Sequence, residues 1–232
     1  MSWSWVASNA AAIWQYTGQS AVLGILPALL GLAISLPLGL IAMRWRWFYP
    51  PTLAVVNVIY AIPSLALFVV LIPAFGLTDT TVIIALAVYA LCVILPNVTG
   101  GLRLVPAHVR EAATAMGYGP LRQLVQVDLP LASPVILAGL RVAVVSSISL
   151  ASVGQLIGVS SLGYLFVDGL QRGFPTEIYV GLALIILLAL VADLVLVLTR
   201  RLVTPWLAVQ RVPGRTSRAR IAADRMAAVV AR

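Results

Sequence analysis

Lysine is absent from this chain, and all 15 basic residues are arginine. A phosphate-binding loop of the G-x-x-x-x-G-K-[ST] type needs a lysine, so the chain cannot form one. A lysine Schiff base is excluded for the same reason. If the protein uses ATP, we therefore expect another chain to bind the nucleotide.

Charge is also scarce: 9% of the 232 residues are charged, whereas 62% are apolar. Soluble domains carry about a quarter charged residues, so the composition predicts an all-α integral membrane protein. The single cysteine, Cys92, excludes an internal disulfide and a cysteine metal cluster. The apolar stretches contain no paired carboxylates, metal triad or activated nucleophile, and we predict no catalytic or metal-binding residue.

Five apolar stretches are long enough to cross a bilayer, which takes about 20 residues per helix. These predicted spans are residues 21–43, 53–75, 81–102, 133–159 and 178–199. Several contain proline, which predicts kinks, because neighbouring helices can satisfy the backbone groups that proline leaves free.

The arginines predict the orientation of the spans. Thirteen of the fifteen follow the first, third and fifth spans, and eight of these lie in residues 200–232. This bias places the N-terminus outside and the C-terminus in the cytoplasm. Residues 1–20 are then an extracytoplasmic or interfacial segment, and 200–232 a basic cytoplasmic tail. The net charge of +8 is explained by that tail, which suits anionic lipid better than nucleic acid.

The segment between the third and fourth spans, residues 103–132, is too structured for a simple connector. Pro106 suits a helix start and Gly117 a position just past a helix end, so a short helix is predicted between them. A second short helix is predicted over Leu121–Leu129, ended by Pro130. On these grounds alone, an ordinary interfacial loop with two amphipathic turns remains an equal alternative.

The same segment resembles the EAA signature of ABC importer permeases, whose pattern is E-A-A-x3-G-x9-I-x-L-P. Glu111–Ala113, Gly117 and Val127–Pro130 match it, with valine in place of isoleucine at Val127. The resemblance implies a type I importer permease with a five-helix core over residues 17–199, in which this segment docks on a separate ATPase subunit. The residues implied to couple with the ATPase are Arg110, Glu111, Ala112, Ala113, Thr114, Met116, Gly117, Tyr118, Leu129 and Pro130.

Further stretches are similar to osmoprotectant permeases, which take up glycine betaine, carnitine, choline or proline betaine. They are Thr17–Gln19, Ala61–Ala66, Asn97–Arg103 and Leu129–Arg141. This likeness implies a multi-pass protein of the bacterial plasma membrane that forms the translocation path. The implied partners are two ATPase subunits holding ATP and Mg²⁺, a second identical or homologous permease, a soluble or lipid-anchored solute-binding protein, and membrane lipid.

Few polar side chains lie in the spans, and these are the candidates for a substrate path: Tyr60, Ser64, Asn97, Ser149, Ser152 and Gln155. Each could instead form interhelical hydrogen bonds. Asp193 is the one acidic residue deep in a span, and we expect it to pair with an arginine or reach the interface. Gly154-x-x-x-Gly158 fits close packing of two helices.

Three alternative functions remain open at this point. A methionine-type importer permease shares the five-span core and the EAA segment. A stand-alone channel or secondary transporter is less favoured, because such proteins usually carry several intramembrane charges. A membrane enzyme is least favoured, since the spans hold no catalytic constellation.

Overall fold

The computed structural model describes residues 3–45 and 47–204, and within them the regular structure is helical. Arg46 and residues 205–232, most of the predicted tail, lie outside the described residues. The helices are α1 (Trp3–Ser8), α2 (Ala10–Arg44), α3 (Tyr49–Tyr60), α4 (Ser64–Phe75), α5 (Asp79–Arg103), α6 (Ala107–Ala115), α7 (Pro120–Gln123), α8 (Leu129–Ala151), α9 (Gly163–Gln171) and α10 (Pro175–Val203). A π-helical turn (Leu124–Asp128) joins α7 to α8, and a 3-10 turn (Ser152–Ile157) follows α8.

Four continuous helical segments in the described part of the chain are long and apolar enough to cross a membrane, or five if the bent α3–α4 pair is counted as one span. Helix α2 is longer than the predicted span, since it begins at Ala10 rather than near residue 21. Its 35 residues extend about 52 Å at 1.5 Å per residue, which exceeds a hydrocarbon core of about 30 Å. It therefore tilts or projects beyond the core.

The second predicted span, 53–75, is not one continuous helix. Helices α3 and α4 meet at an angle of 96° across a break at residues 61–63. Pro63 causes the break, because it has no backbone N–H and disfavours helical geometry at Ile62. The Tyr89 hydroxyl on α5 donates a hydrogen bond to the Ile62 carbonyl, so the break leaves this carbonyl satisfied.

Helices α2, α5 and α8 form the centre of the bundle, and small residues on α2 let them approach closely. A Cβ atom at Gly31 would lie 2.8 Å from Ala90 Cβ on α5, and one at Gly24 would lie 2.4 Å from Ile148 on α8. Only glycine fits at these contacts without a shift of the neighbouring helix.

The end of α8 differs from the predicted fourth span, 133–159. The α-helix ends at Ala151, and Gly158, beyond the 3-10 turn, has a φ of +83°. The prediction that Gly154 and Gly158 form a helix-packing motif is wrong, because they do not lie on an α-helix. Gly154 is instead buried within 3.1 Å of Val82 on α5, measured from a Cβ built on it. Helix α9 then lies where the sequence suggested only a loop.

An ion pair joins α8 to α10. Arg141 Nε and Nη2 each donate a hydrogen bond of 2.7 Å, to Asp193 Oδ1 and Oδ2 respectively. This two-pronged geometry is the strongest arrangement for a guanidinium and a carboxylate. The prediction that Asp193 pairs with an arginine is confirmed.

Candidate functional site

The predicted coupling segment begins with α6, whose two ends are set by Pro106 and Gly117. Pro106 was predicted to be the first helical residue, but its backbone is extended and the helix begins one position later, at Ala107. Gly117 follows the helix with a φ of +80°. Its N–H bonds to the Thr114 carbonyl at 2.9 Å, and the Tyr118 N–H bonds to the Ala113 carbonyl at 3.1 Å. These two bonds form a Schellman motif, which accounts for the glycine.

The chain then stays helical through Pro130, and the prediction that Pro130 ends a second short helix is wrong. Residues 120–157 form one continuous helical segment. A proline ring clashes with the carbonyl four residues before it, here that of Gln126. The π-helical turn at Leu124–Asp128 changes the hydrogen bonding just before the proline, since the Leu129 N–H bonds to the Leu124 carbonyl five residues back and not four.

Arg110 fixes α6 to both neighbouring spans. Its Nε lies 3.0 Å from Asp128 Oδ1 at the entry to α8. Its Nη2 donates a 2.7 Å hydrogen bond to the Leu102 carbonyl near the end of α5. The arginine that the resemblance assigned to ATPase contact therefore faces its own chain. Asp128 was not singled out in the sequence, because it is 18 residues away from Arg110.

Other coupling candidates divide into an inner and an outer set. Ala113 is buried, whereas Glu111 and Ala112 are exposed. Thr114 Oγ1 donates a 3.0 Å bond to the Arg110 carbonyl, and the Tyr118 ring packs 4.3 Å from the Arg122 guanidinium. Leu129 and Pro130 are half-buried at the entry to α8.

The outer surface of this segment combines apolar side chains with one carboxylate. Four large apolar residues are exposed there, beside exposed Glu111: Leu104, Met116, Leu121 and Val125. Exposed apolar side chains on a segment between two spans are typical of a protein interaction surface. We call Glu111 and these four residues the outer surface.

The residues predicted to line a path lie in three places: at the α3–α4 break, at the end of α8 with the 3-10 turn that follows, and within α5. Tyr60 and Ser64 flank the α3–α4 break, where the Tyr60 ring lies 6.0 Å from that of Tyr89. Ser149 and Ser152 lie at the end of α8, and the Ser152 hydroxyl donates a 2.6 Å bond to the Ser149 carbonyl. Helix α4 packs against the 3-10 turn that follows, which brings these two places into proximity.

Gln155 and Asn97 behave differently from each other. The Gln155 Oε1 atom is buried and has no hydrogen-bond partner among the described residues. The Asn97 amide donates a 2.8 Å bond to the Val93 carbonyl, and its side chain fills the space over Gly139. Asn97 thus packs α5 against α8, but its hydrogen bond lies within α5 and is not the interhelical bond considered from the sequence.

The described residues hold no group of three or more His, Cys, Asp or Glu side chains placed to bind a metal ion. The outer surface suits the docking of another protein, and the few polar side chains within the bundle suit the passage of a small solute.

Comparison with known proteins agrees with this reading. Residues 31–209 match the family described as "Binding-protein-dependent transport system inner membrane component". The choline transport system permease protein of Bacillus subtilis is 34% identical over 190 residues, 82% of this chain and 87% of the relative. The osmoprotectant import permease protein of Salmonella typhimurium is 32% identical over 206 residues, 87% of this chain and 96% of the relative.

Solved structures show the same fold. An inward-facing MetNI methionine ABC transporter chain has a TM-score of 0.73 at 23% identity, covering 83% of this chain and 96% of that one. A chain of an amino acid ABC transporter has a TM-score of 0.71 at 17% identity, covering 87% and 98% respectively. The fold is therefore that of type I ABC importer permeases, and this chain belongs to the family of binding-protein-dependent transport system inner membrane components.

Proposed function

We propose that this chain is the permease subunit of an ATP-driven importer for a small osmoprotectant such as glycine betaine, carnitine, choline or proline betaine. The membership of the transport family and the names of the relatives at 30–34% identity support this substrate class. The methionine transporter resembles the chain only in fold, at 23% identity.

The observation that carries the proposal is the rigid Glu111–Pro130 segment with its outer surface. The outer surface binds a separate ATPase subunit, and Glu111 supplies the charged contact. Two such subunits hold ATP and Mg²⁺. A second permease completes the path, and a solute-binding protein delivers the substrate at the other end of the bundle. The N-terminus lies outside, the coupling segment faces the cytoplasm, and lipid surrounds the spans.

The continuous helix suggests how motion would be transmitted. No loop interrupts the chain between α7 and α8, because residues 120–157 are helical throughout. The 23 residues of α8 extend about 34 Å, to the site of Ser149 and Ser152. The Arg110–Asp128 ion pair makes α6 move with this helix. A displacement imposed on the outer surface would therefore reach the path candidates as a rigid-body movement.

Two glycines in the same turn provide a matched test. Gly117 has a φ of +80°, whereas Gly119 has a φ of −69°, and a Cβ at either position would meet no atom within 4 Å. Gly117→Ala therefore strains the Schellman turn by roughly 1–2 kcal/mol, whereas Gly119→Ala does not. We expect Gly117→Ala to lower substrate-stimulated ATP hydrolysis of the reconstituted importer by several-fold, with membrane insertion unchanged, and Gly119→Ala to behave as wild type.

Glu111→Lys tests the charged contact on the outer surface. It should abolish the stimulation of ATP hydrolysis by substrate while the purified chain keeps its thermal stability, because Glu111 is exposed. Full stimulation in both Glu111→Lys and Gly117→Ala would overturn the coupling assignment. Uptake of labelled choline, glycine betaine and methionine by the wild-type importer tests the substrate class separately.

A further inference from the structure

A cavity of about 360 Å³ lies between the ends of α2 and α5 and the coupling segment. Four apolar side chains form one part of its lining: Leu40 and Met43 of α2, Leu102 of α5 and Leu124 of the π-helical turn. Leu102 is buried and the other three are half-buried. None of the four belongs to the predicted coupling residues or to the path candidates, so the cavity is a separate feature of this end of the bundle.

The charged side chains that complete the lining do not cancel. They are Arg44, Arg110 and Asp128. Arg110 Nε lies 3.0 Å from Asp128 Oδ1, and that ion pair accounts for the one carboxylate. Arg44, in the last turn of α2, is exposed and forms no ion pair among the described residues. With two arginines against one aspartate, the cavity favours a ligand that carries a single negative charge.

The hydrogen-bond donors suit a phosphate group. A guanidinium presents five N–H donors in a planar fork that matches phosphate oxygens. Arg110 uses Nε on Asp128 and Nη2 on the Leu102 carbonyl, which leaves the donors of Nη1 for a ligand. The apolar part of the lining favours a phosphate that carries hydrocarbon, because a free ion gains nothing from contact with four apolar side chains.

The cavity lies at the depth of lipid headgroups. Trp45 directly follows Arg44 at the end of α2, and Trp45 and Trp47 are both exposed. Exposed tryptophans at the end of an apolar span mark the boundary between the hydrocarbon and water. In the orientation of the proposed function, this boundary belongs to the cytoplasmic leaflet, which contains anionic lipids.

We propose that this cavity binds the phosphate group of an anionic phospholipid, with Arg44 and Arg110 as donors and with Leu40 and Met43 against the hydrocarbon next to the headgroup. The lipid joins α2 to the coupling segment, since Arg44 belongs to α2 and Arg110 to α6. The choice of the cytoplasmic leaflet rests on the proposed function, whereas the site itself rests on the cavity and its charges.

The test uses the full-length chain in mixed micelles of phosphatidylcholine and phosphatidylglycerol, without ATPase or solute-binding protein. Native mass spectrometry counts the lipids that the chain retains, and we expect one phosphatidylglycerol to be retained in preference to phosphatidylcholine. Added phosphatidylglycerol should also raise the unfolding temperature, because a ligand that binds only the folded state stabilises it. Inorganic phosphate and glycerol 1-phosphate, which lack acyl chains, should raise it less.

Three variants separate the site from a general effect of charge. Arg44→Gln should weaken retention of phosphatidylglycerol about fivefold, the factor expected for one arginine near anionic lipid. Arg44→Lys keeps the charge and should retain most of the binding. Arg122→Gln removes the same charge from an exposed arginine of α7 that does not line the cavity, and should leave retention unchanged. In phosphatidylcholine alone, all three should unfold at the wild-type temperature, because both arginines are exposed.

Equal retention of the two lipids by the wild-type chain would overturn the proposal. Equal losses in Arg44→Gln and Arg122→Gln would overturn it too, since retention would then follow net charge rather than a site. Stabilisation by inorganic phosphate as large as that by phosphatidylglycerol would show a site for a free anion and not for a lipid. The assay contains neither ATPase nor substrate, so its failure leaves the proposed function intact, and failed transport leaves this lipid test intact.

Discussion

Arg141 and Asp193 allow a quantitative prediction about what holds α10 to the bundle. Their side chains are 30% and 31% exposed in the isolated chain, and two hydrogen bonds of 2.7 Å join them. Asp193 lies seven residues before Arg200, roughly 10 Å along the helix. Removal of one partner leaves a charge inside the span, which costs about 2.5–3.5 kcal/mol at a helix centre. Because Asp193 lies between the centre of the span and its arginine-bearing end, snorkelling towards the interface lowers our expected loss to about 2 kcal/mol for each single variant.

The variants are Arg141→Met, Asp193→Leu and the two combined. Because the double variant leaves no unpaired charge, we expect it to lose about 1 kcal/mol or less, an apparent coupling of about 3 kcal/mol. Reversible unfolding in mixed micelles measures the free energy directly. Arg122→Met, at an exposed arginine, is the control and should change it by less than about 0.5 kcal/mol.

Additive losses would refute the coupling of α8 to α10 by this ion pair. If the double variant loses the sum of the single losses, the ion pair contributes no coupling between α8 and α10. Single variants as stable as wild type would refute it equally, since the unpaired charge would then carry no cost.

Two further predictions concern packing and the coupling segment. Gly31→Ala should lower the free energy of unfolding by about 1–3 kcal/mol, because its Cβ would lie 2.8 Å from Ala90 Cβ. Gly18→Ala, with open space around it, should leave the stability unchanged or raise it by up to about 1 kcal/mol. Equal losses of stability in the two variants would contradict close packing at Gly31. Arg110→Asp should lower ATP-driven transport because it detaches α6 from α8, and adding Asp128→Arg should restore part of it. A double variant no better than the single one would argue against that ion pair as the link.

Much of the fold follows from the sequence because the bilayer constrains it. The lengths of the apolar stretches predict the spans, and Gly117 predicts the end of α6, since only a residue tolerant of positive φ fits the turn. Pro63 and Pro130 show what the sequence alone does not predict. Both lie in helical stretches, yet one breaks its helix and the other does not. The π-helical turn before Pro130 and the Tyr89 hydroxyl near Pro63 depend on packing between distant segments.

The candidate site, too, is predictable from the sequence only in part. The EAA pattern predicts which segment is special, because its residues are close in sequence. The ion pairs of Arg110 with Asp128 and of Arg141 with Asp193 join residues 18 and 52 apart, so no local pattern reveals them. A small cavity lined by Trp5, Tyr164 and Glu177 needs helices from distant parts of the chain. Helix α9 has nine residues, too few for a span, so the sequence suggested only a loop there.

The central claim is that this chain conducts an osmoprotectant under the control of an ATPase that binds its outer surface. Proteoliposomes containing the chain, its ATPase and its solute-binding protein test this claim most directly, with labelled glycine betaine or choline as substrate. We expect uptake that requires ATP and all three components, and that falls several-fold in Gly117→Ala but not in Gly119→Ala. Uptake by the chain alone without ATP, or ATP-driven uptake indifferent to Gly117→Ala, would contradict it.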